Sequence, residues 1–192
     1  MEIHAKGFRV HIETPKLEDA DEIAKNANDP DIRKNIRARM PDPYKTEDAI
    51  LYVEFATGEY ARGFGYHFCV HLETGNRVVG AVALSDINRE SSQAELGFWI
   101  GKDYRGKGYA KEAIKLAIGL AFGKFLLNRV YVYVLVSNEV SIHLLSSLGF
   151  IKEGLLRENT QRDGKFYDTL IFSLLKRDYK SLEKETRITI RE

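Results

Sequence analysis

Apolar and polar residues alternate over 8–13, the two-residue period of a strand with one buried face. The period then changes. Leu17, Ala20, Ile23, Ala24 and Ala27 recur every three or four residues and predict a helix, with Thr14 as N-cap and Pro15 in its first turn. Asn28-Asp29-Pro30 ends it. The basic, proline-marked stretch 33–44 reads as a loop or short helix. Thr46 is placed to cap a second helix that buries Ala49, Ile50, Val53 and Ala56. Three strand-like runs follow, 66–72, 78–84 and 94–100. The first two flank Glu73-Thr74-Gly75-Asn76, a hairpin turn, so the three predict an antiparallel meander. Ala110, Ala113, Ile114, Ala117, Ile118 and Ala121 form the clearest helical stripe in the chain. The nearly continuous apolar, β-branched run 130–136 reads as a buried central strand. A short helix over 141–148 closes on Gly149, and the runs 151–158 and 166–175 flank the hairpin dipeptide Asp163-Gly164. The charged residues after Tyr179 read as a terminal helix or a loose end. No repeat or low-complexity linker interrupts the chain, so one α/β domain is expected over 1–180, followed by a charged tail over 181–192.

Composition narrows the partners. A chain of 192 residues suffices for one core, and a net charge of +1 argues against a broad basic field for nucleic acid. No apolar run reaches the roughly 18–20 residues that span a bilayer, so no membrane partner is expected. The N-terminal MEIHAKGFRV lacks a signal-peptide core, and the single cysteine, Cys69, cannot form an internal disulfide. These features together point to the cytoplasm.

The most informative stretch runs from Glu95 to Ala110. A strand ends, a basic glycine-rich turn follows, and the strongest helix begins. Gly106 and Gly108 permit a tight bend and close approach to a ligand. The free N–H groups of the helix N-terminus point into the turn and form an anion site, to which Arg105 and Lys107 add charge. A pyrophosphate suits this chemistry, although a plain strand–helix connection has similar composition. The turn is neither G-x-x-x-x-G-K-[ST] nor G-x-G-x-x-G, which weighs against an ATP- or GTP-binding reading. The central strand also ends at a helix N-terminus, in Val136-Ser137-Asn138, followed by Ser141 and then Leu148-Gly149-Phe150. If these two neighbouring strands part, an amide-bearing ligand can pair with a free strand edge. On residues alone, Asn138 reads equally well as an N-cap.

Arg105-Gly-Lys-Gly-Tyr-Ala110 and the set Asn138, Ser141, Leu148-Gly149-Phe150 resemble the two cofactor motifs of the GNAT superfamily of N-acetyltransferases. The resemblance covers about residues 8–179. It implies a mixed, mostly antiparallel central sheet with parted central strands and flanking helices. It also implies acetyl-CoA as co-substrate, a primary amine as acceptor, no metal, and a monomer or homodimer. Glu95-Leu-Gly-Phe-Trp-Ile and Arg162-Asp-Gly-Lys with Asp168 are most similar to the RimJ/RimL branch, which acts on ribosomal-protein N-termini; polyamine and antibiotic acetyltransferases share much of the pattern. The cofactor would meet Phe98, Trp99, Ile100, Arg105, Gly106, Lys107, Gly108, Tyr109, Ala110, Asn138 and Ser141.

A neutral amine must attack the thioester, so a proton acceptor is needed, and Glu95 matches the family's catalytic glutamate. Many family members carry a tyrosine seven residues after the asparagine, as donor to the leaving thiolate. Leu145 stands there, which leaves Ser141 as the candidate and opens a second reading, a silent acyl-CoA-binding module. Backbone N–H groups of the 95–100 strand, helped by a bulge, would hold the oxyanion. Cys69 has no nucleophile motif around it, and its face-mates His67 and His71 make no recognised metal spacing. The 33–44 loop, Tyr52 and the 159–165 hairpin would line the amine's entrance.

Overall fold

The computed structural model describes residues 3–36, 40–179 and 189–191, the last three by backbone alone. Among the described residues, nine strands form one sheet: β1 (His4–Lys6), β2 (Val10–Glu13), β3 (Tyr66–Leu72), β4 (Val78–Asn88), β5 (Gln93–Ile100), β6 (Arg129–Leu135), β7 (Ile151–Arg162), β8 (Lys165–Leu175) and β9 (Thr189–Arg191). Their order is β7-β8-β6-β5-β4-β3-β2-β1-β9. Every neighbouring pair is antiparallel except β5–β6. The helices are α1 (Ala20–Ala27), α2 (Pro30–Asn35), α3 (Thr46–Arg62), α4 (Tyr109–Gly119) and α5 (Glu139–Ser147). The expected mixed sheet and meander are present. Beyond the backbone of β9, the charged tail over 181–192 lies outside the described residues.

The helical stripe on α4 packs Ala113, Ile114, Ala117 and Ile118 onto Val82, Ala94, Leu96 and Val130 of the sheet. Leu145 of α5 and Leu170, Phe172 and Leu174 of β8 complete this core. The opposite sheet face carries a smaller core, where Ile23, Ala24 and Ala27 of α1 meet Ala49 and Val53 of α3 over Cys69 and Val78.

Local chemistry relocates three expected features. Thr14 does not cap α1: its Oγ1 accepts the Ile3 N–H at 3.1 Å, and the chain stays extended to Lys16. A 3₁₀ turn, Leu17–Asp19, starts the helical segment, with Asp19 Oδ2 accepting the Lys16 N–H at 2.9 Å. Leu17 is consequently exposed, outside the helical stripe. Lys45 takes the cap position of α3, while Thr46 donates from Oγ1 to Asp21 at 2.9 Å and ties α3 to α1. Asp29 accepts the Asp31 N–H and caps α2, with Pro30 in its first turn. Asp163 and Gly164 both take positive φ, as the tight β7–β8 turn requires.

Ile118 is fully buried beneath the sheet, whereas Val140 is 81% exposed. Ile118→Ala should therefore lower stability by about 2–5 kcal/mol, and Val140→Ala should change it by no more than about 0.5 kcal/mol. Urea unfolding monitored by circular dichroism measures both.

Candidate active site

The parallel pair β5–β6 is short. Its register covers Gln93↔Arg129, Ala94↔Val130 and Glu95↔Tyr131. Beyond Glu95 the strands continue separately, β5 along β4 and β6 along β8. A wedge therefore opens between Leu96–Ile100 and Val132–Leu135, with Glu95 on the last rung at its apex. Around Gly97 no atom lies within 4 Å of where a Cβ would sit, so the sheet face beside the wedge is open there. The side chains of Phe98 and Ile100 belong to the main core and that of Trp99 to the smaller one, so what these residues offer the wedge is backbone. The register irregularity lies on β4, between Ser85 and Asn88, rather than on β5 as the oxyanion reading had it. Its positive-φ residue, Asp86, accepts the Tyr131 hydroxyl at 2.8 Å, beside the Glu95 rung. Burial and the carboxylates of Asp86 and Glu95 push the Tyr131 pKa up, so this phenol stays protonated.

Because β5 and β6 run parallel, both deliver their chains to the open end of the wedge. After β5, a 3₁₀ turn (Lys102–Tyr104) leads to Gly106 and Gly108, at φ 74° and 79°. Gly108 precedes α4, whose first backbone bond runs from Glu112 N–H to Gly108 C=O at 3.2 Å. The N–H groups of the first turn, including those of Tyr109 and Ala110, have no helical acceptor. Contacts distant in sequence hold the turn. Glu112 Oε1 accepts the Arg9 N–H at 2.8 Å, and its Oε2 pairs with Arg9 Nε at 3.0 Å. Arg9 in turn donates to the Lys107 carbonyl at 2.7 Å. Arg105 donates from Nε to the Ile100 carbonyl at 3.0 Å and pairs with Asp29 and, at 3.3 Å, Asp31. Arg105 and Lys107 were expected to direct charge at a phosphate. Here Arg105 braces the turn against the α1–α2 junction, and Lys107 Nζ donates to the Asp103 carbonyl at 2.9 Å.

After β6, Asn138 caps α5 through Oδ1, which accepts the Ser141 N–H at 3.1 Å. Ser141 sits in the first turn of α5 and is half-buried. Leu145 is fully buried in the main core, so the position of the family's tyrosine faces no ligand here. At the far end of the sheet, Arg162 of β7 donates to the carbonyls of Arg33 and Ile36, joining the 159–165 hairpin to the end of α2. A broad cavity of about 730 Å³ lies along β7–β8, lined by Leu155, Leu156, Arg157, Glu158, Asn159 and Asp168. The Asp168 carbonyl accepts the Val136 N–H at 3.2 Å, which sets this cavity beside the end of β6. Cys69 lies on β3, two strands from the wedge and fully buried, with burial pushing its thiol pKa up, which argues against an acyl-accepting role. Burial holds the His67 pKa down at about 4.

Sequence reasoning singled out the two motifs and Glu95, which the structure brings to the parted strands and their helices. It missed Arg9, Asp29, Asp86, Glu112 and Tyr131, whose partners lie between 45 and 104 residues away.

Two helix N-termini at the open end of a parted parallel strand pair, one reached through a left-handed double-glycine turn, define an acyl-CoA-dependent transferase fold. Residues 9–151 match the acetyltransferase (GNAT) domain family, and the chain belongs to it. It is 34% identical over 172 residues to the uncharacterized N-acetyltransferase p20 of Bacillus licheniformis, covering 89% of this chain and 95% of that one. It is 29% identical over 140 residues to the spermidine N(1)-acetyltransferase of Vibrio cholerae, covering 72% and 78%. The structure of Mycobacterium smegmatis RimJ in complex with CoA-disulfide superposes with a TM-score of 0.82 at 18% identity, covering 96% of both chains. At that identity the likeness shows the shared fold. The protein is an acetyl-CoA-dependent N-acetyltransferase.

The geometry changes which glycine tests the cradle. A Cβ on Gly108 would come within 2.9 Å of the Arg9 guanidinium, so Gly108→Glu would shift that brace as well as the anion site, and a change in affinity would not report on the cradle alone. Gly106 has nothing within 4 Å of that position. Gly106→Glu places a carboxylate where a pyrophosphate would lie, with a strain of about 1–2 kcal/mol from its positive φ. Acetyl-CoA affinity should fall at least tenfold by calorimetry while the circular dichroism spectrum stays native. Normal affinity would remove this turn from the cofactor site.

Proposed function

We propose that the protein transfers acetyl directly from acetyl-CoA to a primary amine, the α-amine of a protein N-terminus. The observation that carries this reading is Glu95 at the apex of the wedge. A carboxylate there can take the proton of an ammonium, directly or through water, as the amine approaches a thioester laid along the open β5 edge. Backbone N–H groups on that edge would stabilise the tetrahedral oxyanion. The departing thiolate would be met by the Ser141 hydroxyl as a hydrogen-bond donor, since Leu145 offers none. The pyrophosphate would rest on the N–H groups around Gly106–Ala110, and the pantetheine amides would pair with β5 and with Asn138. The transfer itself calls for no metal. Among the described residues no helix is long and apolar enough to cross a membrane, which suits an acceptor met in aqueous surroundings.

A polyamine acceptor is the second reading. It is favoured by the similarity to a spermidine acetyltransferase and by the carboxylates of Glu158 and Asp168 in the β7–β8 cavity, where a cation would be attracted. The non-catalytic alternative requires acetyl-CoA binding without thiol release on any amine.

Thiol release from acetyl-CoA, measured against N-terminal peptides, spermidine and aminoglycosides, separates these readings. Turnover should be highest on a peptide α-amine; turnover confined to spermidine would replace the peptide assignment. Glu95→Gln should keep acetyl-CoA affinity and lower turnover, with the greatest loss below the pH at which the amine deprotonates unaided. Unchanged turnover at every pH would remove Glu95 from proton transfer.

A further inference from the structure

A second cluster of reactive side chains lies on the α1 face of the sheet, on β2, β3 and the turn before α1, two strands from the wedge. The β2–β3 register places Glu13 opposite Cys69 and His11 opposite His71. Cys69 and His71, two residues apart on one strand, therefore project on the same face as Glu13. The 3₁₀ turn after β2 brings Asp19 onto them. One ligand atom from each of Asp19, Cys69 and His71 lies within 4.8 Å of the others. His71 Nε2 is 3.3 Å from Glu13 Oε1 and 3.8 Å from Asp19 Oδ1. His67, their face-mate in sequence, stands apart against Phe55 and Tyr52.

Two observations point to an occupant. His71 is 1% exposed and its Nε2 has no hydrogen-bond partner, although two carboxylate oxygens stand near it. Its other nitrogen makes a long contact, 3.4 Å, with the Asn76 carbonyl. Nitrogen and oxygen atoms 3.3–3.8 Å apart without a mutual hydrogen bond have the spacing of neighbouring corners of a tetrahedral zinc site, where metal–ligand bonds are about 2.0–2.3 Å. The remaining polar atoms are also held, as ligands of a metal usually are. Asp19 Oδ2 accepts the Lys16 N–H at 2.9 Å, and Glu13 Oε2 lies 3.5 Å from Lys16 Nζ. The donors include a thiol and two carboxylates, all anionic when ligating a metal. A divalent cation answers that accumulation of negative charge.

We propose that Asp19, Cys69 and His71, with Glu13 beside His71, form a buried structural zinc site. A thiolate, an imidazole and carboxylates make a borderline set that suits zinc over calcium or magnesium, and the burial of Asp19, Cys69 and His71 keeps the ion from substrates. The site would clamp the segment entering α1 onto β3, and would leave the acetyl-transfer residues untouched. A neighbouring set, His4, His11 and Glu13, shares one ligand, but Glu73 already occupies His11 Nδ1 at 3.0 Å.

The test uses the untagged full chain, with Zn²⁺ alone and Co²⁺ alone as probes. After dialysis against Zn²⁺ and then metal-free buffer, one zinc per chain should remain by elemental analysis. Free Zn²⁺ at a hundred times its dissociation constant should raise Tm by about 5–10 °C. Co²⁺ should give intense visible bands of a four-coordinate ion and a thiolate-to-cobalt charge-transfer band. Cys69→Ala should abolish that band and weaken zinc binding at least a hundredfold, and His71→Gln should weaken it similarly, while His4→Gln leaves it intact. The proposal fails if the folded wild-type chain retains no zinc and shows no thiolate band. It also fails if His4→Gln removes binding while Cys69→Ala retains it. Should both ligand variants fail to fold, the cobalt spectrum of the wild-type chain decides alone.

Discussion

Everything functional in this molecule depends on the parting of β5 and β6 after their third paired residue. Each strand is held along its other edge: β5 pairs with β4 from Glu95 to Ile100, and β6 with β8 from Arg129 to Leu135. Neither can turn to close the gap without abandoning that ladder. The facing backbone groups of the wedge must be satisfied by water or by a ligand carrying amides. Because the pair is parallel, both strands hand the chain to a helix at the same end. One geometric fact thus sets an unpaired strand edge beside two helix N-termini, an arrangement suited to an extended ligand that carries amides and an anionic end.

The sequence carried the layout of the sheet and the motifs of the wedge because both are written in short-range patterns. The helical stripe from Ala110 to Ala121 and the β-branched run beginning at Val130 stand where expected. The double glycine is legible because only glycine adopts φ near +75° without strain, and Leu145 is legible as a departure that burial then explains. What was not legible is set by tertiary contact. Thr14 looks like a cap until Ile3 takes its oxygen. The bulge belongs to β4, where the positive φ of Asp86 leaves no mark in a run of ordinary strand residues. Arg105 reads as a phosphate ligand when only its neighbours are known, and Asp29 and Asp31 redirect it.

These redirected contacts bear on how the cradle is built. A glycine-rich turn is by nature the loosest part of a fold, with most backbone entropy to lose on ordering. Glu112 counters this from inside α4 by gathering the N–H groups at Phe8 and Arg9, so the helix that supplies the anion site also holds the N-terminal segment. Arg9 then returns to the turn through the Lys107 carbonyl. The Lys107 carbonyl is thereby held by protein, while the first-turn N–H groups of α4 keep no helical acceptor. A preorganised set of donors binds an anion without the ordering entropy that a free loop would lose.

The same bracing links the two faces of the sheet. Asp29, which holds Arg105, also caps α2 and directly follows α1, and α1 packs its Ile23, Ala24 and Ala27 into the core beneath the substrate side. The cofactor turn lies at the other end of that connection. Loosening of the α1–α3 layer therefore has a direct route to the cradle through one guanidinium, and an ordered cradle has the same route back. Coupling through a shared rigid contact is reciprocal in free energy.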